Sequence, residues 1–196
     1  MKSVVTLALL LTGALLCAGC FSLTNFQSPE VLLPRRTSVG MGLTYSYPLP
    51  EANLMVRYGL SDNVDVGGKL SLPFDALTAD AKWQLSRGPR PVALDFGGSF
   101  GLFAGEIDAP EDLGFITAFP ELLLGFGRMS GAARVMMVYQ VDLRYHRNNS
   151  VSWVAQLFFG GPLGSDSRVR WEASLRSMSG AWFPMPGIGV SYQFRP

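Results

Sequence analysis

At 196 residues the chain is long enough for one domain, and its 16 Lys and Arg against 15 Asp and Glu give a formal net charge of +1 at pH 7, without the basic footprint of a nucleic-acid binder. Its two cysteines, Cys17 and Cys20, lie together near the N-terminus and its single histidine is His146, so no disulfide framework and no metal site built on Cys or His is available. Beyond the first twenty residues no apolar run approaches the roughly 18–20 residues of a membrane-spanning helix, which leaves a closed β-barrel as the one way for this chain to cross a bilayer.

Met1-Lys2 is followed by a largely apolar run from Val4 to Leu16 and then by small residues, the pattern of a secretory signal peptide over residues 1–19. Its removal takes Lys2 and no acid, so the formal charge falls to 0. Leu16-Cys17-Ala18-Gly19-Cys20 resembles the bacterial lipobox, which implies a covalent lipid on Cys20; it departs in having Cys17 where Leu is usual. Leu15 and Leu16 are too bulky to precede a modified Cys17. Phe21 follows the lipid site instead of the Asp that resembles an inner-membrane retention signal, which implies the outer membrane. Residues 20–36 show no sustained period and carry Pro29, Pro34 and the Arg35-Arg36 pair, as expected of a lipidated periplasmic tether.

From Thr37 the period is two. Val39, Met41, Leu43, Tyr45 and Tyr47 oppose Gly40, Gly42, Thr44 and Ser46 before Pro48-Leu49-Pro50 interrupts. A hairpin follows over Asn53–Leu70: Leu54, Val56 and Tyr58, then Val64, Val66, Gly68 and Leu70, lie on one face, and Gly59-Leu60-Ser61-Asp62-Asn63 supplies the turn. After Pro73-Phe74-Asp75, Leu77 to Leu85 alternate with Thr78, Asp80, Lys82 and Gln84. Arg87-Gly88-Pro89-Arg90-Pro91 breaks the pattern, Val92 to Leu102 forms a fifth strand, and Gly105–Asp112 is an acidic loop. In the sixth strand Ile116, Ala118, Leu122, Leu124 and Phe126 oppose Thr117, Glu121 and Gly125, while Pro120 on the apolar face predicts a bulge or distortion. A turn over Gly127–Ala132 leads to Arg134–Tyr145, and His146–Ser150 is a polar tip. Ser152–Phe159 and Arg168–Arg176 follow; Ser177–Pro186 is expected to be a loop, and Ile188–Phe194 is the last strand.

The pattern predicts an all-β, closed antiparallel transmembrane β-barrel over residues 37–194 with about ten strands, eight and twelve being the neighbouring even counts. A soluble barrel would dress its outer face in Lys and Glu, whereas the residues that alternate with the apolar ones are Gly, Ser, Thr, Gln and charges of both signs. Apolar residues therefore face lipid, and the charges form an interior network: Arg57, Asp65, Lys69, Asp80, Lys82, Asp95, Glu121, Arg134, Asp142, Arg144, Arg168, Arg170, Glu172 and Arg176. The aromatics fall at two rims, Tyr47, Tyr145 and Trp153 at one and Tyr58, Trp83, Tyr192 and Phe194 at the other, as two membrane interfaces select. A charge at Val56 should then harm assembly more than neutralising Lys69.

The hairpin Tyr58–Gly67 resembles a periplasmic turn of small Gram-negative outer-membrane β-barrels, and Gly189-Val190-Ser191-Tyr192-Gln193-Phe194 resembles the signal that barrel-assembly machinery reads on a final strand, with Gly189, Tyr192 and Phe194 as its elements. It departs by continuing into Arg195-Pro196. The resemblance implies a small outer-membrane β-barrel lipoprotein and dealings with outer-membrane lipid and with the barrel-assembly and lipoprotein-processing machinery, and the even strand count is expected to leave both termini in the periplasm. No enzyme is expected. The His and Ser two residues apart of outer-membrane deacylases and phospholipases are not matched by His146, which is followed by Asn148 and Ser150. No cofactor is expected apart from the lipid on Cys20. The leading function is a porin-like barrel with a side-chain-filled lumen and a structural or envelope role; the alternatives are a narrow anion-preferring channel lined by Arg168, Arg170 and Arg176, and a soluble periplasmic lipid-binding barrel lipoprotein.

Overall fold

The computed structural model describes residues 27–46, 49–72, 76–103, 113–142, 150–164, 168–178 and 181–194. Ten strands follow one another: β1 (Thr37–Ser46), β2 (Leu49–Gly59), β3 (Val64–Leu72), β4 (Ala76–Ser86), β5 (Val92–Phe103), β6 (Leu113–Phe126), β7 (Met129–Asp142), β8 (Ser150–Pro162), β9 (Val169–Met178) and β10 (Ala181–Phe194). Each pairs antiparallel with its neighbours in sequence, and β1 pairs with β10 to close the barrel, so no strand edge is left open.

Closure constrains the register. Followed from Met41 through Leu54, Leu70, Leu77, Phe100, Ile116, Tyr139 and Val151, and onward along the β8–β9 and β9–β10 registers, the ladder returns at the level of position 53 instead of 41, a stagger of twelve residues. An even stagger keeps inward and outward residues in phase all the way round, and a stagger of this size tilts the strands by about 40°.

The outer surface is apolar: Met41, Leu43, Leu54, Val56, Leu70, Leu77, Phe96, Phe100, Ile116, Val135, Leu157 and Ile188 are all exposed, Leu43 at 69 %. The inside is polar, with Asp65 and Asp95 both at 0 % exposure. This is the inverse of a water-soluble β-protein.

Pro120 gives the distortion expected of it but no bulge: pairing of β6 with β7 lapses at Phe119 and Pro120 and resumes with the same offset, Ala118 opposite Met137 and Glu121 opposite Arg134. On its other side Pro120 stays opposite Phe96, so a missing N–H has cost ladder bonds without inserting a residue. The presumed loop over Ser177–Pro186 is largely the start of β10, with its irregularity confined between Ala181 and Met185; Pro184 and Pro186 had hidden the period. The turn before β7 spans only residues 127–128, with Gly127 at φ 65°. Likewise Pro50 lies inside β2, opposite Tyr45.

Candidate functional site

The inward face is organised by register. Asp65 stands opposite Lys82, Lys82 opposite Asp95, Asp95 opposite Glu121, Glu121 opposite Arg134, Arg134 opposite Gln156 and Gln156 opposite Arg176. Seven strands thus contribute one continuous polar row. Arg57 donates to Asp65 through Nε (3.0 Å) and Nη2, and reaches Asp80 at 2.6 Å; Lys82 Nζ lies 3.3 Å from Asp65. Arg57 and Asp80 are two strands apart with Gly67 between them, and a Cβ at Gly67 would lie 2.6 Å from the Arg57 guanidinium and 3.0 Å from Asp80 Oδ1. The glycine is the gap through which the bridge passes.

On the opposite wall Arg134 donates to Glu121 Oε2 from Nη2 (2.8 Å) and Nε (3.3 Å). Its guanidinium also lies 4.1 Å from the centre of the Phe119 ring and 5.1 Å from that of Phe158, so one cation serves a carboxylate and two π-faces. Here the polar lumen carries an apolar sector. Phe115, Phe119, Met136, Val138 and Val154 form an apolar patch with Ala76, and Leu123 and Phe158 are buried as well. Gly97 and Gly101 make room for it, since a Cβ there would fall 2.7 Å from the Phe119 ring and 2.2 Å from that of Phe115.

Of the sequence-predicted network, Asp65, Lys69, Lys82, Asp95, Glu121, Arg134, Glu172 and Arg176 are buried, and Arg57 and Asp80 nearly so. Arg170 is half-buried and donates to Ser130 Oγ at 2.9 Å. Arg168 is instead exposed in the turn before β9, because the strand begins one residue later than the alternation implied. The three arginines expected to line one path are therefore separated: one outside, one at the mouth and one enclosed. Arg144 lies outside the described residues, as do Cys20, Tyr47, Tyr145, His146 and the acidic loop, and for Asp142 only the backbone is described. Glu51, fully buried on the inner face of β2, escaped the sequence reading because the prolines beside it hid the phase. With it, the inward ionisable side chains among the described residues number six basic (Arg57, Lys69, Lys82, Arg134, Arg170, Arg176) and six acidic (Glu51, Asp65, Asp80, Asp95, Glu121, Glu172). Such balance suits charges taken out of water.

At the rims, Tyr58, Trp83 and Phe194 are exposed at the end that carries the short turns and Trp153 toward the other, with Tyr192 half-buried and edge-on to Phe194 at 4.8 Å. Tyr192 and Phe194 sit opposite Met41 and Val39 on the closing strand pair, and Gly189 faces inward opposite Thr44.

The segment upstream of β1 also belongs to the site. Residues 27–32 run into the turn-side mouth of the barrel, where the sequence suggested only a tether. Lys82 Nζ donates to the carbonyls of Ser28 (2.8 Å) and Glu30 (2.9 Å), Leu32 N donates to Asp65 Oδ2 (3.0 Å), Val31 N to Gln84 Oε1 (3.4 Å), and Gln27 Nε2 to Asp95 Oδ2 (3.1 Å). A cavity of about 50 Å³ lies among Gln27, Arg57, Lys69, Asp80 and Arg134, room for a few waters at most. A second, of about 180 Å³, opens at the mouth among Ser28, Pro29, Glu30, Arg128 and Arg170. Among the described residues no group of His, Cys, Asp and Glu is placed to hold a metal ion.

No family model matches the chain, and no curated protein matches it. Among solved structures it is similar to the KdgM porin (9 % identity over 81 % of this chain and 99 % of that one, TM-score 0.37), to the Acinetobacter baumannii outer membrane protein Omp33 (10 % identity over 84 % and 99 %, TM-score 0.34) and to the N-terminal β-barrel domain of Pseudomonas aeruginosa OprF (13 % identity over 82 % and 98 %, TM-score 0.28). TM-scores this low fix neither a solute nor an activity.

Proposed function

We propose that the chain is an outer-membrane β-barrel lipoprotein, acylated at Cys20, with both termini in the periplasm and a filled lumen that suits a structural role in the envelope. The observation that carries this reading is the inversion of the barrel: an exposed apolar belt surrounds twelve inward ionisable side chains among the described residues. An even strand count returns the chain to its starting side, and the short turns at that end fit the periplasmic face. The same inversion speaks against a soluble barrel holding lipid, whose lumen would have to be apolar.

The test is fractionation of the full chain and its cysteine variants from a Gram-negative host. Radiolabelled palmitate should be incorporated by the parent and by Cys17→Ala but lost in Cys20→Ala. The Cys20→Ala protein should nevertheless stay in the outer membrane and migrate heat-modifiably, because the barrel spans the bilayer on its own. Its release into the soluble periplasmic fraction would overturn the membrane-spanning reading.

A further inference from the structure

We propose that Gln27–Leu32 is a removable plug, and that its withdrawal turns the barrel into a narrow pore preferring small anions, an activity that rests on the membrane-spanning reading above.

The entry of this segment into the lumen is built into the residues that follow it. Leu33-Pro34-Arg35-Arg36 forms a tight turn in which Arg36 N donates to Leu33 O (3.1 Å) and Arg35 adopts φ 62°. Pro34 presets the first corner, and a left-handed residue takes the second, as in a type II turn. The turn is stitched to the end of β2 by Arg35 N donating to Gly59 O and Gly59 N donating to Arg36 O, both 2.9 Å. Gly59 is what admits it: a Cβ there would stand 2.1 Å from Leu33 O and 2.8 Å from Leu32 O. The chain upstream of β1 is thereby folded back into the mouth.

Inside, the segment acts as a ligand for the charged wall. It presents carbonyls to Lys82, N–H groups to Asp65 and Gln84, and an amide to Asp95. Asp95 stands directly opposite Glu121, a pairing of like charges that destabilises a sheet unless each is separately served; Gln27 serves one and Arg134 the other. Apolar burial contributes less, Pro29 being the one buried residue of the segment. Water and ions make hydrogen bonds of the same kinds, so exchange of the segment for solvent leaves no lumen group without a donor or acceptor.

The segment also borders both cavities. Gln27 borders the inner one, while Ser28, Pro29 and Glu30 border the one at the mouth. Withdrawal joins them into a single passage whose inner part is lined by Arg57, Lys69 and Arg134 against Asp80. A local excess of cations at a constriction favours anions even where the whole lumen is balanced.

The test is planar-bilayer conductance in a KCl gradient, with heat-modifiable migration as the check on folding. The full chain should open rarely. A variant lacking residues 27–32 should raise the open probability on the order of tenfold or more, with a reversal potential on the chloride side, and Lys69→Gln in that background should move the reversal potential toward zero. Gly59→Val in the full chain keeps every lumen charge and denies the turn its space, and it should conduct in the same way; if the deletion fails to fold, this variant decides alone. Folded variants that insulate as well as the parent, or that prefer potassium, overturn the plug. A parent without heat-modifiable migration overturns the membrane-spanning reading instead.

Discussion

Asp65 is the side chain on which most of the lumen network converges. It accepts from Arg57, lies 3.3 Å from Lys82 and accepts from the backbone N–H of Leu32 at 3.0 Å, with none of its surface exposed. Removing one partner of a buried charge cluster leaves the others uncompensated, at about 3–5 kcal/mol. Asp65→Ala should therefore lose about that much stability in urea unfolding from lipid vesicles, and Asp80→Ala less, since Arg57 keeps Asp65 in the second case. Alternation alone had placed Asp65, Lys82 and Asp95 inside, because a strand with one apolar face leaves its charges a single direction. What alternation could not give was partner identity. The reach of Arg57 past Gly67 to Asp80 skips a strand, and the stacking of Arg134 on Phe119 depends on space left by Gly97; both are facts of register, which a single strand does not encode.

At the scale of the element, the strands were legible wherever apolar and polar residues alternated, and obscured wherever proline stood. Pro50, Pro184 and Pro186 made strand residues look like loop, and Pro120 suggested a bulge that the ladder does not contain. Proline removes a donor and keeps the extended backbone, so it erases the signature of a strand more readily than the strand itself. Residues 27–36 were opaque for another reason: their order comes from the barrel they enter and from no period of their own. The β2–β4 sector offers a direct measurement. Gly67→Ala places a methyl in the path of the Arg57–Asp80 bridge, its three nearest neighbours all being side-chain atoms, so it should cost about 1–3 kcal/mol in the same unfolding assay. In Asp80→Ala, where the bridge is already gone, the same substitution should cost much less.

At the scale of the molecule, the inversion of the barrel decides which substitutions matter. Val56 is outward and 45 % exposed, whereas Lys69 is buried within the balanced lumen. An arginine on the lipid face costs about 2–4 kcal/mol at mid-bilayer and less toward the interface, and Val56 lies two residues from the rim residue Tyr58. Val56→Arg should accordingly lower folding stability in vesicles by about 2 kcal/mol and Lys69→Gln by less; equal tolerance of the two would contradict a lipid-facing Val56. Closure of the barrel also has a mechanical side. The inward pairs described along the β1–β10 seam are Gly40 with Gln193, Gly42 with Ser191 and Thr44 with Gly189, so every one contains a glycine. Elsewhere around the wall ion pairs and packed rings reinforce the ladder, whereas none of these facing pairs can set one side chain against another across the seam. Under lateral tension the wall should part first at this seam, as a garment opens at its zip, and the N-terminal and C-terminal strands would be the two edges released.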